Sequence, residues 1–233
     1  MLAMQVIPGV HQITHRFVNI VLFVEERLTL IDSGFRGSAP RIAEYIGSLG
    51  RSVREIELII ITHNHLDHVG GLAELKEMAP QASVAAHKDD LSRDEIGLPY
   101  PGYALKLLKL PLVSLLRPLA YIKPDDVDIR LGGGEVLPPM GGLEVIHTPG
   151  HTPGSICLFS PERKLLVVGD ILNNRHRDII PPARMISTDF QQAMESVKRL
   201  AQLDFDNLCC GHGKPMVGGA GARVRDWVKL RGF

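Results

Sequence analysis

The sequence predicts a mixed α/β fold, sheets with helices packed on their outer faces, and three observations lead to that class. Strand-like runs dominate both halves of the chain, with a few helical segments placed between them. The run Leu58-Ile59-Ile60-Ile61 is apolar at every position and rich in β-branched residues, the pattern of a strand buried on both faces. The composition, 45% hydrophobic and 22% charged over 233 residues, is that of an ordinary globular chain.

The elements follow in order. From Val18 to Val24 and from Leu28 to Ile31, β-branched runs flank the polar Glu25-Glu26-Arg27 and predict a hairpin. The chain turns at Asp32-Ser33-Gly34. Ser38 is placed to cap a helix running to Leu49, and Gly50 stops it. The strand from Leu58 to Ile61 delivers the chain into Thr62-His63-Asn64-His65. Leu72 to Met78 reads as a short helix ended by Pro80, and Ser83 to Ala86 as a strand. Residues 88–124 interrupt the alternation, because Pro99, Pro101, Pro111, Pro118 and Pro124 bracket apolar, weakly basic segments. The part from about Leu98 to Pro124 is therefore expected to be a helical apolar insertion in one domain spanning residues 1–233. Strands resume from Asp128 to Leu131, Leu143 to His147, Ser155 to Phe159 and Lys164 to Val168. Asp189, with Gln192 three residues on, resembles a capping box opening a helix to Leu203. A strand from Asn207 to Cys210 and a helix from about Arg223 close the order.

Charge and cysteine usage exclude several classes. Lys and Arg number 26 against 26 Asp and Glu, and no basic stripe appears, so a nucleic-acid partner is not expected. Cys157, Cys209 and Cys210 cannot build a disulfide framework and read as small buried thiols of a reducing compartment. The first residues carry no basic segment ahead of an apolar one, as a secretion signal would. The longest apolar region, from Tyr103 to Ile122, is broken by Lys106, Lys109, Pro111, Arg117 and Pro118 and makes a poor membrane span. The expectation is a cytoplasmic protein with a small-molecule substrate, without a membrane or nucleic-acid partner, and with the insertion available for a homodimer contact.

The ten histidines are unevenly spread. Three fall in His63-Asn64-His65-Leu66-Asp67-His68, directly after the buried strand, where loop residues are held rigidly. Imidazoles with a carboxylate suit zinc and neighbouring first-row metals. His63 and His65 share a face of an extended backbone, and Asp67 and His68 turn back to serve a second ion. Gly70-Gly71 permits close backbone approach. Asp170 ends the apolar strand before it, so its carboxylate belongs at a strand tip, and His212 lies between two glycines directly after a strand. His147 and His151 both remain open, on spacing alone, as a third imidazole for the first ion. His11, His15, His87 and His176 have no motif around them and read as solvated or hydrogen-bonded histidines.

The run from Thr62 to Gly71 resembles the H-x-H-x-D-H signature of the metallo-β-lactamase superfamily. Asp32-Ser33-Gly34, the Thr148-Pro149-Gly150-His151-Thr152-Pro153-Gly154-Ser155 segment, Gly169-Asp170 and Gly211-His212-Gly213 follow in the family's order. The resemblance covers nearly the whole chain. It implies an αβ/βα sandwich, two mixed β-sheets with outer helices and a dinuclear metal site at one edge. Carried over, it places His63, His65 and His151 on one ion and Asp67, His68 and His212 on the other, with Asp170 bridging. It puts the third imidazole on His151 rather than His147.

Two divalent ions bridged by a carboxylate can share a water and lower its pKa from about 15.7 towards about 7, giving a hydroxide nucleophile at neutral pH. The ions expected are Zn2+, with Mn2+ or Fe2+ as alternatives. Asp67 is the candidate catalytic residue, holding the nucleophile in line. No dedicated acid for a leaving group is visible, which suits an ester, lactone or thioester better than an unstrained amide. Within the superfamily, the missing secretion signal speaks against an antibiotic-degrading enzyme. The short stretch after His212 leaves little room for the helical domain of glyoxalase II. The leucine-rich insertion could roof the site and accept an apolar acyl or aryl group, or instead pack or dimerise. Arg184 is a candidate for the pocket rim. The rival expectation is a mononuclear iron dioxygenase acting on a persulfide; lesser ones are a phosphodiesterase, a β-lactamase-like amidase and a metal-binding protein without turnover.

Overall fold

A computed structural model describes residues 2–91, 122, 124–175 and 178–232. The expected insertion at about 98–124, with its suggested roles as lid or dimer contact, lies almost wholly outside these residues; Ile122, at its end, is buried. The first half forms β1 (Leu2–Ile7), β2 (Val10–His15), β3 (Val18–Val24) and β4 (Leu28–Ile31), then helix α1 (Ala39–Ser48) and β5 (Ile56–Ile61). The one-turn α2 (Leu66–Val69), α3 (Leu72–Met78), β6 (Ser83–His87) and β7 (Ile129–Leu131) follow. The second half forms β8 (Val136–Leu137), β9 (Leu143–His147), β10 (Ile156–Ser160), β11 (Leu165–Val167), β12 (Asn173–Arg175) and β13 (Asp178–Ile180). Helix α4 (Phe190–Leu200), β14 (Asn207–Cys209), β15 (Met216–Val217) and helix α5 (Ala220–Leu230) end it.

Strands β1 to β7 pair in sequence order, the first four antiparallel and the rest parallel. Parallel neighbours require crossovers, and α1 to α3 supply two of them. The second sheet runs β15-β14-β11-β10-β9-β8, antiparallel except where β14 lies beside β11, while β12 and β13 pair apart as a hairpin.

The layering is visible in which side chains pack together. Ile59 and Ile61 of β5 pack with Ile42 and Ile46 of α1 and Leu72 and Leu75 of α3. The alternate residues Leu58 and Ile60 pack with Val145, Ile156, Leu158 and Val167 of the other sheet. Behind that sheet, Leu166 and Leu208 pack with Val197 and Leu200 of α4 and Val224 of α5. Helices, sheet, sheet and helices thus form four layers around three apolar interfaces, the αβ/βα arrangement. Each fully buried Val, Leu or Ile contributes roughly 1.5–3 kcal/mol of transfer free energy, so β5, apolar on both faces, is the strand that fixes the centre of the stack.

Some boundaries move. Ser38 stands at the head of α1, but its hydroxyl makes no cap bond; Oγ lies 2.8 Å from His15 Nδ1 instead. Asp189 caps α4 by accepting from the Gln192 N–H at 3.0 Å, and the helix ends at Leu200 rather than Leu203. Helix α5 begins at Ala220, three residues before the expected start. Strands β1 and β2 are not predicted by the sequence pattern, because polar residues such as His11 and Gln12 break the apolar alternation. Both of these residues are buried against tertiary partners: His11 Nδ1 lies 2.9 Å from the Tyr45 hydroxyl, and Gln12 Nε2 donates to the Gly213 carbonyl at 3.1 Å.

Candidate metal centre

Strand β5 ends at Ile61 and Thr62 follows it; His63 and His65, next in the chain, come into ring contact at 4.7 Å between centroids. His65 is the residue ahead of α2, so the helical turn throws Asp67 and His68 back towards the strand end. From the second sheet, the connection between β9 and β10 supplies His151, the end of β11 leads into Asp170, and the loop after β14 supplies His212. One ligand atom each of His63, His65 and His151 lies within 4.8 Å of the other two, and the same holds for Asp67, His68 and His212 and for His63, His68 and Asp170. Asp170 stands between the groups: its Oδ2 is 3.1 Å from His212 Nε2 and 3.7 Å from His151 Nε2, and its Oδ1 is 3.5 Å from His68 Nε2. Gly211 is required beside it, since a Cβ there would overlap the Asp170 carboxylate and the His68 ring.

Four rings are oriented through Nδ1. His63 Nδ1 lies 3.0 Å from Thr62 Oγ1, which passes its own proton to Asp32. His68 Nδ1 donates to Asp32 Oδ2 at 2.7 Å, His151 Nδ1 lies 3.2 Å from Ser187 Oγ, and His212 Nδ1 donates to the Phe17 carbonyl at 2.7 Å. Ser187 donates onward to the Ala183 carbonyl, so its oxygen accepts from His151. A proton fixed on Nδ1 leaves Nε2 as the inward lone pair, the usual arrangement of a histidine ligand.

Those inward atoms fit a cation. Nε2 of His63, His68 and His151 and Oδ1 of Asp170 are buried with no hydrogen-bond partner among the described residues. Buried polar atoms are nearly always satisfied, and divalent ions would satisfy these four, which fall in two groups sharing His63, once His68 gives up its Nε2 proton. Electrostatics divides the imidazoles into two sets. Burial, with the neighbouring imidazoles adding to it, holds His63 well below the usual histidine range, brings His65 down to about 3 and His151 to about 4, so all three are neutral at pH 7. Burial would depress His68 and His212 as well, but Asp32 and Asp170 raise His68 well above its ordinary value, and hydrogen bonds to Asp170 and Asp67 take His212 to about 9. Burial would raise the Asp170 carboxyl, yet the charge of His68 and the bond from His212 hold it well below the carboxylate range.

All seven residues carried over from the signature thus meet at one place. His147 does not: its Nε2 donates to the Pro153 carbonyl at 2.8 Å and its ring stacks on His87 at 4.0 Å with planes 16° apart. Together with Asp89 these two also bring ligand atoms within 4.8 Å, but near-parallel rings send their in-plane lone pairs side by side rather than to one point. His11 and His15 are hydrogen-bonded away from the centre, and His176 lies outside the described residues. The Arg184 guanidinium lies over the Phe190 ring at 4.6 Å. The three cysteines are buried and free, and burial pushes Cys157 and Cys209 up to about 12. Among the described residues no helix is long and apolar enough to cross a membrane.

Sequence reasoning missed what surrounds the ligands. Ser187, the Phe17 carbonyl and Asp90 gave no local signal, since each acts on a residue from another loop; Thr62 adjoins His63 in the motif, but the Asp32 carboxylate it donates to lies 30 residues earlier. Asn19 belongs with them: its Nδ2 donates to the carbonyls of Cys210 and Gly213 and so ties the hairpin of β2 and β3 to the His212 loop.

Comparison with known proteins is consistent with this geometry. The family model described as the metallo-beta-lactamase superfamily matches residues 13–212. The probable metallo-hydrolase YflN of Bacillus subtilis (strain 168) is 31% identical, over 90% of this chain and 86% of its own. The human acyl-coenzyme A thioesterase MBLAC2 is 31% identical over 63% of this chain and 55% of its own. The crystal structure of a metallo-beta-lactamase family protein, TTHA1429 from Thermus thermophilus, superposes with a TM-score of 0.71 at 22% identity, covering 98% of this chain and 81% of that one, a likeness of fold.

Proposed function

From the premise that the chain belongs to the metallo-β-lactamase superfamily of metallo-hydrolases, we propose that it is a dinuclear enzyme cleaving an ester, lactone or thioester with an apolar acyl group. The observation that carries the reading is the convergence of seven candidate ligand side chains from both sheets, four of which, His63, His68, His151 and Asp170, turn a buried polar atom with no hydrogen-bond partner among the described residues towards the others. His63, His65 and His151 would hold one divalent ion, Asp67, His68 and His212 the other, and Asp170 both; imidazole and carboxylate donors suit zinc, with manganese or iron as alternatives. Bound there, such ions supply an acidified water and a Lewis acid for a carbonyl oxygen.

The chain's own groups do the rest. The Asp67 carboxylate is one fifth exposed, unlike Asp170, and lies 3.4 Å from His212 Nε2 at the open side of the centre. It is placed to hold a water by accepting its proton and so to aim it at a substrate carbon. Large apolar side chains flank the centre in sequence and stand exposed: Phe17 beside the carbonyl that holds His212, Leu66 between His65 and Asp67, and Met185 and Ile186 just ahead of Ser187. Exposed apolar side chains at a site's mouth suit an apolar acyl group. The likeness to a protein named as an acyl-coenzyme A thioesterase supports the thioester branch. The three buried thiols suit a reducing compartment, and we place the enzyme in the cytoplasm.

Elemental mass spectrometry of the purified protein, followed by a panel of esters, lactones, thioesters, phosphoesters and β-lactams before and after chelation, tests the proposal. Two ions per chain and hydrolysis that disappears with the chelator and returns with metal are expected. Hydrolysis undiminished in metal-free protein would refute it, and a single iron with oxygen uptake on glutathione persulfide would replace it with a dioxygenase.

A further inference from the structure

Asp90 lies in the turn after β6, is buried, and bonds to the residues between and beside the candidate ligands. Its Oδ2 accepts from the Asn64 backbone N–H at 3.0 Å and from the Thr152 hydroxyl at 2.8 Å; its Oδ1 accepts from the Gly154 N–H at 2.7 Å. The Asp90 carbonyl accepts from Asn64 Nδ2 at 2.8 Å. Asn64 separates His63 from His65, and Thr152 follows His151. One carboxylate therefore joins the two loops, one from each sheet, that carry the whole three-histidine group.

The joint is closely built. A Cβ at Gly154 would come within 2.6 Å of the Asp90 backbone nitrogen and Cγ, so only glycine lets the loop reach the carboxylate. Because the Thr152 hydroxyl proton goes to Asp90, Ser155 Oγ donates to Thr152 Oγ1 at 2.7 Å while accepting the Thr152 N–H at 2.9 Å, which stiffens the loop beyond His151. Burying a carboxylate is costly unless every oxygen is satisfied; burial raises the Asp90 pKa and the three donors pull against that rise. The Asp67, His68 and His212 group is held by other means, through Asp32 and the Phe17 carbonyl.

We propose that Asp90 is a positioning residue that fixes His63 and His65 against His151, setting the metal affinity of the three-histidine site while leaving the other site untouched. The inference rests on the two-ion reading above. It is tested by titrating Co2+ into metal-free protein and following uptake calorimetrically and by visible absorption, for wild type, Asp90→Ala, Asp90→Asn, Thr152→Val and Thr152→Ser.

Wild type is expected to take two ions. Asp90→Ala weakens one of them about 10–100-fold, as loss of a ligand-supporting group does, and leaves the other unchanged. Asp90→Asn follows it, because its amide N–H2 must face the N–H of either Asn64 or Gly154. Thr152→Val loses part of the affinity at the same site, and Thr152→Ser, which keeps the hydroxyl, restores it. A purely structural role predicts equal weakening of both sites and no dependence on the hydroxyl, and that result overturns the proposal. So do two wild-type affinities in Asp90→Ala and Thr152→Val. Should Asp90→Ala fail to fold, the Thr152 pair decides alone. Fewer than two ions in wild type would overturn the two-ion reading itself, a failure distinct from that of Asp90.

Discussion

The rings of His63, His68, His151 and His212 are each committed through Nδ1 to a protein oxygen, so what distinguishes them is the proton on Nε2. Two ligand groups a few ångströms apart differ in that respect. His63, His65 and His151 are neutral at pH 7, with His65 at about 3 and His151 at about 4, whereas His212, at about 9, is protonated and must lose its proton to ligate. A raised pKa weakens metal binding at every pH below it. The affinity of the Asp67, His68 and His212 site should therefore rise by about tenfold per pH unit for each proton displaced, up to about pH 9. That of the three-histidine site should depend less steeply on pH, since its imidazoles have no proton to give up above pH 6. Metal titration in weakly buffered solution with a pH indicator checks this: at least one more proton leaves with one ion than with the other. Equal release at the two sites would contradict it. The candidate ligands were legible because they sit in short motifs with characteristic spacing, with the family resemblance choosing His151 over His147; the oxygens of Ser187 and Phe17 that orient two of them were not, because they act on rings brought near only by folding.

At the scale of elements, β5 carries the most. From Leu58 to Ile61 it is apolar on both faces, it lies between β4 and β6, and it ends one residue short of the first ligand, so disturbing its packing disturbs the floor of the centre. Ile60, fully buried between the sheets, is expected to cost about 2–5 kcal/mol on change to Ala through lost transfer energy and the cavity left behind. Glu57, exposed on the same strand, should cost less than about 0.5 kcal/mol. Urea unfolding of metal-free protein at constant m-value measures both, and a small Ile60→Ala effect would show that the two sheets are not packed through this strand. Strands such as β5 and β10 read clearly from sequence because their apolar runs match burial. Strands β1 and β2 did not, because Gln12 is polar for the sake of Gly213, a residue from the other end of the chain.

At the scale of the whole molecule, the ligands come from both sheets, and an ion held by His63, His65 and His151 links the end of β5 to the loop before β10. Ions bound only by the folded state stabilise it by about 2.7 kcal/mol at a free concentration a hundredfold above Kd. For a chain of this size that raises the unfolding midpoint by roughly 2–4 °C per kcal/mol. Calorimetry with and without chelator is expected to show such a shift and its dependence on metal concentration. A midpoint indifferent to the chelator would mean that the ions do not link the sheets.

The sequence alone determined the fold class, the layers behind the clearest apolar runs and the seven candidate ligands, because hydrophobic period and motif spacing are local properties written along the chain. Only the tertiary structure decided which oxygen orients each imidazole, which proton each imidazole keeps, and that Asp90 joins the two loops. Each of these depends on distances between residues tens of positions apart: Asp90 lies 62 residues before Thr152 and hydrogen-bonds to it at 2.8 Å. Orientation, charge state and support are set by neighbours in space, and no spacing along the chain encodes them.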